Sequence, residues 1–174
     1  MMTRLALIPC LALPLPALAE TPDLWLAEQT MMLTDADPAL RMQAGLAACL
    51  GAAEAPTPPE QTVEQFAFAE WQRGEWGGLT EFTHDTSSAL VAGDGAFCEI
   101  ADTGLPAGRA AEILRGTFAQ AQITGWTEGR NDAGCITYRG PQGRLIEVNS
   151  GGQDPVCGET PSSAIRVWNT GDGG

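Results

Sequence analysis

The spacing of apolar residues predicts four helices, three of them in the first half of the chain. Two of these begin with a capping residue followed by proline, at Thr21-Pro22 and Asp37-Pro38, a common arrangement at helix N-termini. Apolar positions three and four residues apart then continue the helical pattern. The predicted helices cover about residues 21–33, 37–51, 57–74 and 106–121.

Elsewhere apolar residues alternate with polar ones, which indicates half-buried strands. Residues 87–92 and 96–102 are two such runs, joined by a Gly-Asp-Gly sequence that favours a tight hairpin. Runs at residues 135–139, 144–149 and 164–169 predict a C-terminal meander. This order predicts an α+β domain with N-terminal helices, a β-hairpin, a helix and a three-stranded meander. Its sheet should be largely antiparallel, with the helices packed on one face.

Residues 1–19 have the features of a secretory signal. Arg4 precedes an apolar run, and Ala17-Leu18-Ala19 matches the small residues of a cleavage site. We therefore expect cleavage before Glu20, a periplasmic or secreted location, and a single domain over residues 20–174. No later stretch reaches the roughly 18 apolar residues that a membrane span needs, so we expect no span after cleavage.

The first of the five cysteines, Cys10, would leave with the signal. Lipid attachment at Cys10 is a competing fate, which Pro9 disfavours because lipoprotein signals carry a small residue there. The other four cysteines predict two disulfides in an oxidising compartment and allow three pairings. The favoured pairs are Cys49–Cys98 and Cys135–Cys157. The first pair would tie a helix to a strand, and the second would close a short loop.

The chain carries 22 acidic residues against nine basic ones, and its net charge is −13. This charge disfavours nucleic acid as a partner and favours a basic protein or peptide. All the basic residues are arginines, which excludes lysine chemistry such as Schiff-base formation. A single histidine, His84, rules out multi-histidine zinc sites, and no Cys-x-x-Cys pair is present. We therefore predict no metal and no cofactor.

Acidic and aromatic residues come together at one predicted helix end, where Glu70-Trp71 is followed by Glu75-Trp76. An exposed indole beside a carboxylate suits a peptide or a sugar, so the candidate binding residues are Trp71, Trp76 and Glu75. The alternative is structural. Trp71 would then belong to the helix core, and Trp76 would anchor the following loop to the sheet.

The segment His84-Asp85-Thr86-Ser87-Ser88 contains the three residue types of a hydrolase triad. Neighbouring side chains on an extended chain point to opposite faces, however, and no Gly-x-Ser-x-Gly elbow is present. Ser162 or Ser163 could reach His84 only through the fold. We interpret His84 as a surface residue of a loop that leads into a strand.

Two functions remain open at this point. The leading hypothesis is a non-catalytic binding protein, inhibitor-like, whose partner is a basic envelope protein. The alternative is a carboxylate-dependent hydrolase or lyase that acts on envelope polysaccharide, with Glu70 or Glu75 as the general acid. A catalyst should hold a carboxylate in a cleft, whereas a binding module should present a shallow apolar patch.

Overall fold

A computed structural model describes residues 28–51, 57–152 and 154–169. The predicted signal sequence, its cleavage site and Cys10 lie outside the described residues. Within them, residues 28–32 are helical and are called α1 here. Three further helices follow, α2 (Pro38–Leu50), α3 (Pro59–Phe68) and α4 (Ala107–Gln120).

The strands of the described residues form one antiparallel sheet in the order β1-β2-β3-β4-β8-β7-β6-β5. They are β1 (Gln72–Trp76), β2 (Leu79–His84), β3 (Ser87–Val91), β4 (Phe97–Asp102), β5 (Thr127–Arg130), β6 (Ile136–Arg139), β7 (Leu145–Asn149) and β8 (Ser163–Trp168). Two four-stranded meanders therefore meet where β4 pairs with β8. The predicted α+β class is confirmed, and β1, β2 and β5 are strands that the sequence did not predict.

The third predicted helix, over residues 57–74, was too long, because α3 ends at Phe68. Glu70 takes a left-handed backbone conformation with φ of 59°. The Trp71 amide then donates to the Phe66 carbonyl, and the Glu70 amide donates to the Ala67 carbonyl. This is a Schellman cap, in which glycine is the usual left-handed residue. The helix therefore ends where its sequence carries no glycine, and residues 72–76 are free to form β1.

The helices cover one face of the sheet. At the centre α2 crosses β4 so closely that a Cβ on Gly45 would lie 2.5 Å from the Ile100 Cδ1 atom. On one side of this contact α3 stacks Phe66 on Phe82 of β2, and on the other α4 contacts β7 and β8. The alternate residues of the strands that face these helices form one buried core together with the inward side of the helices.

Both favoured disulfides are present. Cys49–Cys98 joins the last turn of α2 to β4, and Cys135–Cys157 joins the chain before β6 to the loop between β7 and β8. The first bond fixes the helix layer on the sheet. The second holds a loop of Gly, Pro and Ser residues that bears on the candidate site below.

Candidate functional site

The face of the sheet opposite the helices, called here the open face, carries a row of side chains across its middle. Cross-strand pairing aligns these residues in the order Gly74, Glu81, Leu90, Glu99, Arg166, Glu147 and Thr137. Residues that pair across neighbouring strands project from the same face. The row therefore brings residues more than 60 positions apart in the chain into direct contact.

A second row on the open face is mainly apolar. Its members are Trp76, Leu79, Phe97, Trp168 and Leu145. Trp76 is 43% exposed, and the Phe97 and Trp168 rings lie 5.7 Å apart between centroids. The other members of the row are partly buried, and a row of large apolar side chains that water can still reach is a feature of binding surfaces.

Part of each row lines a groove of about 640 Å³, a size typical of ligand sites. Its apolar walls are Trp76, Leu79, Leu90 and Phe97, and its polar groups include Glu81, Ser88, Glu99 and Arg166. One end is closed by residues 150–152, where Gly151 lies against β8. A Cβ on Gly151 would be 3.3 Å from the Ala164 Cβ, so only glycine lets this loop approach so closely.

Two of the charged groups in the groove neutralise each other. The Arg166 Nε atom donates to the Glu99 carboxylate at 2.5 Å, and Glu99 is buried. A second Arg166 nitrogen donates to the Gly152 carbonyl at 2.6 Å. Arg166 therefore ties the loop end of the groove to β4, and neither member of the pair is free to hold a ligand charge.

Two further acids line the groove. Asp102 accepts hydrogen bonds from the Thr86 and Ser87 hydroxyls. Glu81 is half-buried between Gly74 and Leu90. Among the residues that the structure describes, none forms a hydrogen bond or an ion pair with its carboxylate. A Cβ placed on Gly74 would lie 3.4 Å from the Glu81 Oε2 atom. Gly74 thus leaves a gap beside the carboxylate that opens to the edge of the sheet.

The three candidate binding residues from the sequence are separated in space. Trp71 is only 4% exposed, its Nε1 atom donates to the Leu33 carbonyl, and its ring packs on Phe66. Trp71 therefore belongs to the core, as the structural alternative held. Trp76 lies in the groove on the open face, whereas Glu75 precedes it on β1 and points to the opposite side.

The two candidate acids of the hydrolase hypothesis lie outside the groove. Glu70 is exposed at the cap of α3, and Glu75 is exposed on β1. Sequence reasoning missed Glu81, which the structure places in the groove. The signal for it was present, because the two glycines after Trp76 favour a hairpin and residues 79–84 can then continue it as a strand.

The triad-like segment serves the fold. His84 stacks on Trp71 with 5.7 Å between ring centroids. Ser87 donates to Asp102 at 2.6 Å and accepts from the Nε atom of Arg41 at 2.9 Å. Arg41 is fully buried and also donates to backbone carbonyls of the α1–α2 connection. This polar cluster connects α2 to β3 and β4, and His84 is not part of it.

A further polar cluster lies on the helix side, between α4 and the sheet edge. Arg115 donates two hydrogen bonds to Glu128, and the Tyr138 hydroxyl donates to the same carboxylate at 2.5 Å. The hydrogen bonds from Arg115 and Tyr138 lower the pKa of Glu128 to about 2. Burial, together with the bond to Glu128, raises the pKa of Tyr138 to about 12. The cluster joins α4 to β5 and β6 and does not contact the groove.

Comparisons with known proteins add no assignment to this geometry. No family model, no curated protein and no solved structure matches the chain.

The described residues contain neither a candidate membrane span nor a candidate metal site. No helix there is long and apolar enough to cross a membrane. No group of three or more His, Cys, Asp or Glu residues in those same segments is arranged to hold a metal ion.

Proposed function

We propose that this protein is a non-catalytic binding domain of the periplasm or extracellular space, whose groove accepts a cationic side chain of a basic protein or peptide. The observation that carries the proposal is the Glu81 carboxylate, which stands half-buried among apolar side chains with no cation of the described residues beside it. A carboxylate in such surroundings gains from an incoming cation that can form charge-assisted hydrogen bonds.

The neighbours of Glu81 suit the rest of an arginine or lysine side chain. Trp76 is exposed on the same wall, and an indole face attracts a guanidinium or ammonium group. Leu79 and Leu90 offer apolar surface for the methylene stem of the same side chain. Arginine fits better than lysine, because its planar group can stack on the indole while it donates to the carboxylate.

The overall charge favours the same class of partner. At a net charge of −13 the protein attracts basic molecules over several ångströms of solvent and repels acidic ones. Such long-range attraction speeds association and is screened by salt. We therefore expect the affinity for a basic partner to fall as ionic strength rises.

The hydrolase alternative receives no support from the geometry. Its two acids, Glu70 and Glu75, are exposed outside the groove. In the groove itself Glu99 is held by Arg166, and Asp102 is held by Thr86, Ser87 and Arg41, so Glu81 has no second free carboxylate among the lining residues. Glycoside cleavage by the usual route needs two carboxylates that face one bond.

The test uses a blocked seven-residue peptide with a central arginine, leucines two positions away on either side, and threonines elsewhere. Its affinity is measured by calorimetry on the oxidised protein, with citrulline in place of arginine as the neutral control. We expect the arginine peptide to bind at least tenfold more tightly than the citrulline peptide. Glu81→Gln should remove that preference, since one charge-assisted hydrogen bond contributes about 1.5–3 kcal/mol.

The matched control variant is Glu75→Gln. It removes one carboxylate from the same hairpin, so it changes the long-range attraction by the same amount, but its side chain lies on the other face. We expect Glu75→Gln to change the affinity by less than threefold, and Trp76→Ala to weaken binding as Glu81→Gln does. Equal effects of Glu75→Gln and Glu81→Gln, or equal affinity for both peptides, would refute the proposal.

A further inference from the structure

The groove opens at one side onto an unpaired strand edge. In the described part of the chain β1 pairs only with β2, and all five of its residues are exposed. The outer edge of β1 therefore presents backbone groups to solvent. Such an edge can accept an additional strand from another chain.

The turn between β1 and β2 determines which backbone groups face outward. Gly77 and Gly78 have φ of 57° and 84°, as in a type I′ hairpin turn. The residues that flank such a turn, Trp76 and Leu79, form a hydrogen-bonded pair. Hydrogen-bonded and non-bonded pairs alternate along an antiparallel ladder. The amides and carbonyls of Arg73 and Glu75 consequently point away from β2, toward the free edge.

The side chains next to this edge favour an added strand that carries a cationic residue opposite Gly74. A residue added opposite Gly74 on the open face would meet no side chain on β1, because Gly74 has none. Beyond it in the same row lies Glu81, whose backbone would be two strand spacings, roughly 10 Å, from the added strand and whose carboxylate extends back toward Gly74. A long cationic side chain can cross that gap and reach the carboxylate. Residues two positions away would lie beside Trp76 and Gln72.

We propose that the basic partner binds as an extended segment that adds to β1 as a ninth, antiparallel strand, with an arginine opposite Gly74 and an apolar residue opposite Trp76. This inference rests on the proposed function, because it gives the backbone arrangement that delivers the cation to Glu81. The antiparallel direction agrees with every strand pair in the sheet and gives the more stable pairing.

A second copy of this chain is the competing occupant. Two β1 strands paired about Gly74 would place Arg73 beside Glu75 of the other copy on both sides. Exposed pairs of that kind contribute only about 0–1 kcal/mol. The same arrangement would leave the Glu81 carboxylates of both copies without a cation and would join two chains of net charge −13. The edge therefore suits a basic segment better than a copy of itself.

The first test places N-methyl groups along the arginine peptide described above. In the proposed register the two threonines beside the arginine face Arg73 and Glu75, and their amides donate to β1. N-methylation of either threonine should weaken binding at least tenfold. N-methylation of the arginine or of a leucine should change the affinity by less than threefold, because those amides point to solvent. An affinity loss without this alternation would overturn the proposal.

The second test measures amide hydrogen exchange in the protein with and without the bound, unmodified peptide. The amides of Arg73 and Glu75 should become protected, whereas the Gly74 amide, which faces β2, should change little. The variant Gly74→Val fills the gap beside Glu81 and should lower the affinity for the arginine peptide at least tenfold. Its Cβ would contact only the Glu81 side chain, at 3.4 Å from Oε2 and 4.0 Å from Cβ, so the fold should tolerate it.

The outcomes separate this inference from the proposed function. Sensitivity to Glu81→Gln without protection of Arg73 and Glu75 would keep the groove as a cation site and refute strand addition. Insensitivity to Glu81→Gln would refute the proposed function. A concentration-dependent dimer of the free protein in sedimentation equilibrium, abolished by Glu75→Pro, would assign the edge to a second copy and overturn the inference.

Discussion

Substituting Gly45 with alanine provides a sharp test of how α2 packs on the sheet. Alanine has a higher helix propensity than glycine by about 1 kcal/mol, so the change would stabilise an isolated helix. In this structure the new Cβ would lie 2.5 Å from the Ile100 Cδ1 atom and 2.7 Å from its Cγ1 atom. Both distances are far below van der Waals contact, and Ile100 is fully buried.

Steric conflict should therefore outweigh the propensity gain. Extra methyl groups in a well-packed core cost about 1–3 kcal/mol. Subtracting the helix gain, we expect Gly45→Ala to lower the free energy of unfolding by up to about 2 kcal/mol. The melting temperature of a domain of this size should fall by about 2–4 °C for each of those kcal/mol.

The chain offers a control for the same substitution. Gly116 lies in the interior of α4, it is exposed, and a Cβ there would meet nothing within 4 Å. Gly116→Ala should raise the free energy of unfolding by about 0.5–1 kcal/mol. Urea unfolding of the oxidised variants, followed by circular dichroism, measures both effects.

The second half of the experiment uses Ile100→Ala, which removes the Cγ1 and Cδ1 atoms that the new methyl group would overlap. In an Ile100→Ala background the new methyl group of Gly45→Ala would partly fill the cavity, so its effect should change sign. The coupling energy between the two positions should then exceed about 1 kcal/mol, within the range for residues in contact. Stabilisation by Gly45→Ala in the wild-type background, similar to that by Gly116→Ala, would show that α2 does not pack on β4 as described.

Three other results are expected. Tyr138 is the only tyrosine, and its absorbance at alkaline pH should titrate near 12, shifting toward 10 in Glu128→Gln. Because its folded pKa exceeds the unfolded value of about 10, stability should be complete below pH 10 and decline toward pH 12; a titration midpoint near 10 would contradict this. Arg41→Met, which leaves Asp102 buried without its cation, should cost about 3–5 kcal/mol in urea unfolding, and a loss below 1 kcal/mol would refute the role of this cluster. Replacing both cysteines of the α2–β4 disulfide by alanine, which opens a span of 49 residues, should cost about 4 kcal/mol, against about 3 kcal/mol for the other bond with its span of 22; the reverse order would contradict the loop-closure argument.

The sequence predicted the features that depend on neighbouring residues. The Asp37-Pro38 start of α2 is present, with the Asp37 side chain accepting from the Ala39 amide. The hairpin over residues 87–102 is present as β3 and β4. Helix caps and two-residue periods act over a few positions, so one sequence contains them completely.

Elements with weak local signals were missed or misjudged. α3 ends at Phe68, and Glu70 just after it takes a left-handed conformation that is usual for glycine. Because the sequence has no glycine there, it does not indicate the end of the helix. β1 has no alternation of apolar residues, because it lies at the sheet edge with both faces exposed. Its existence depends on the neighbouring strand and on the two glycines of the turn.

The sequence by itself determined the α+β class, the main helices and the central hairpin. Among the three possible pairings of the four cysteines it favoured the one that the structure contains. Tertiary structure alone decided what the candidate site contains. Glu99 meets Arg166 only because β4 pairs with β8 across 67 positions of chain, and Glu81 faces the groove only because β2 has a fixed register beside β3. One residue of slip would turn every side chain of a strand to the other face, so the site follows from long-range strand pairing, which no local pattern encodes.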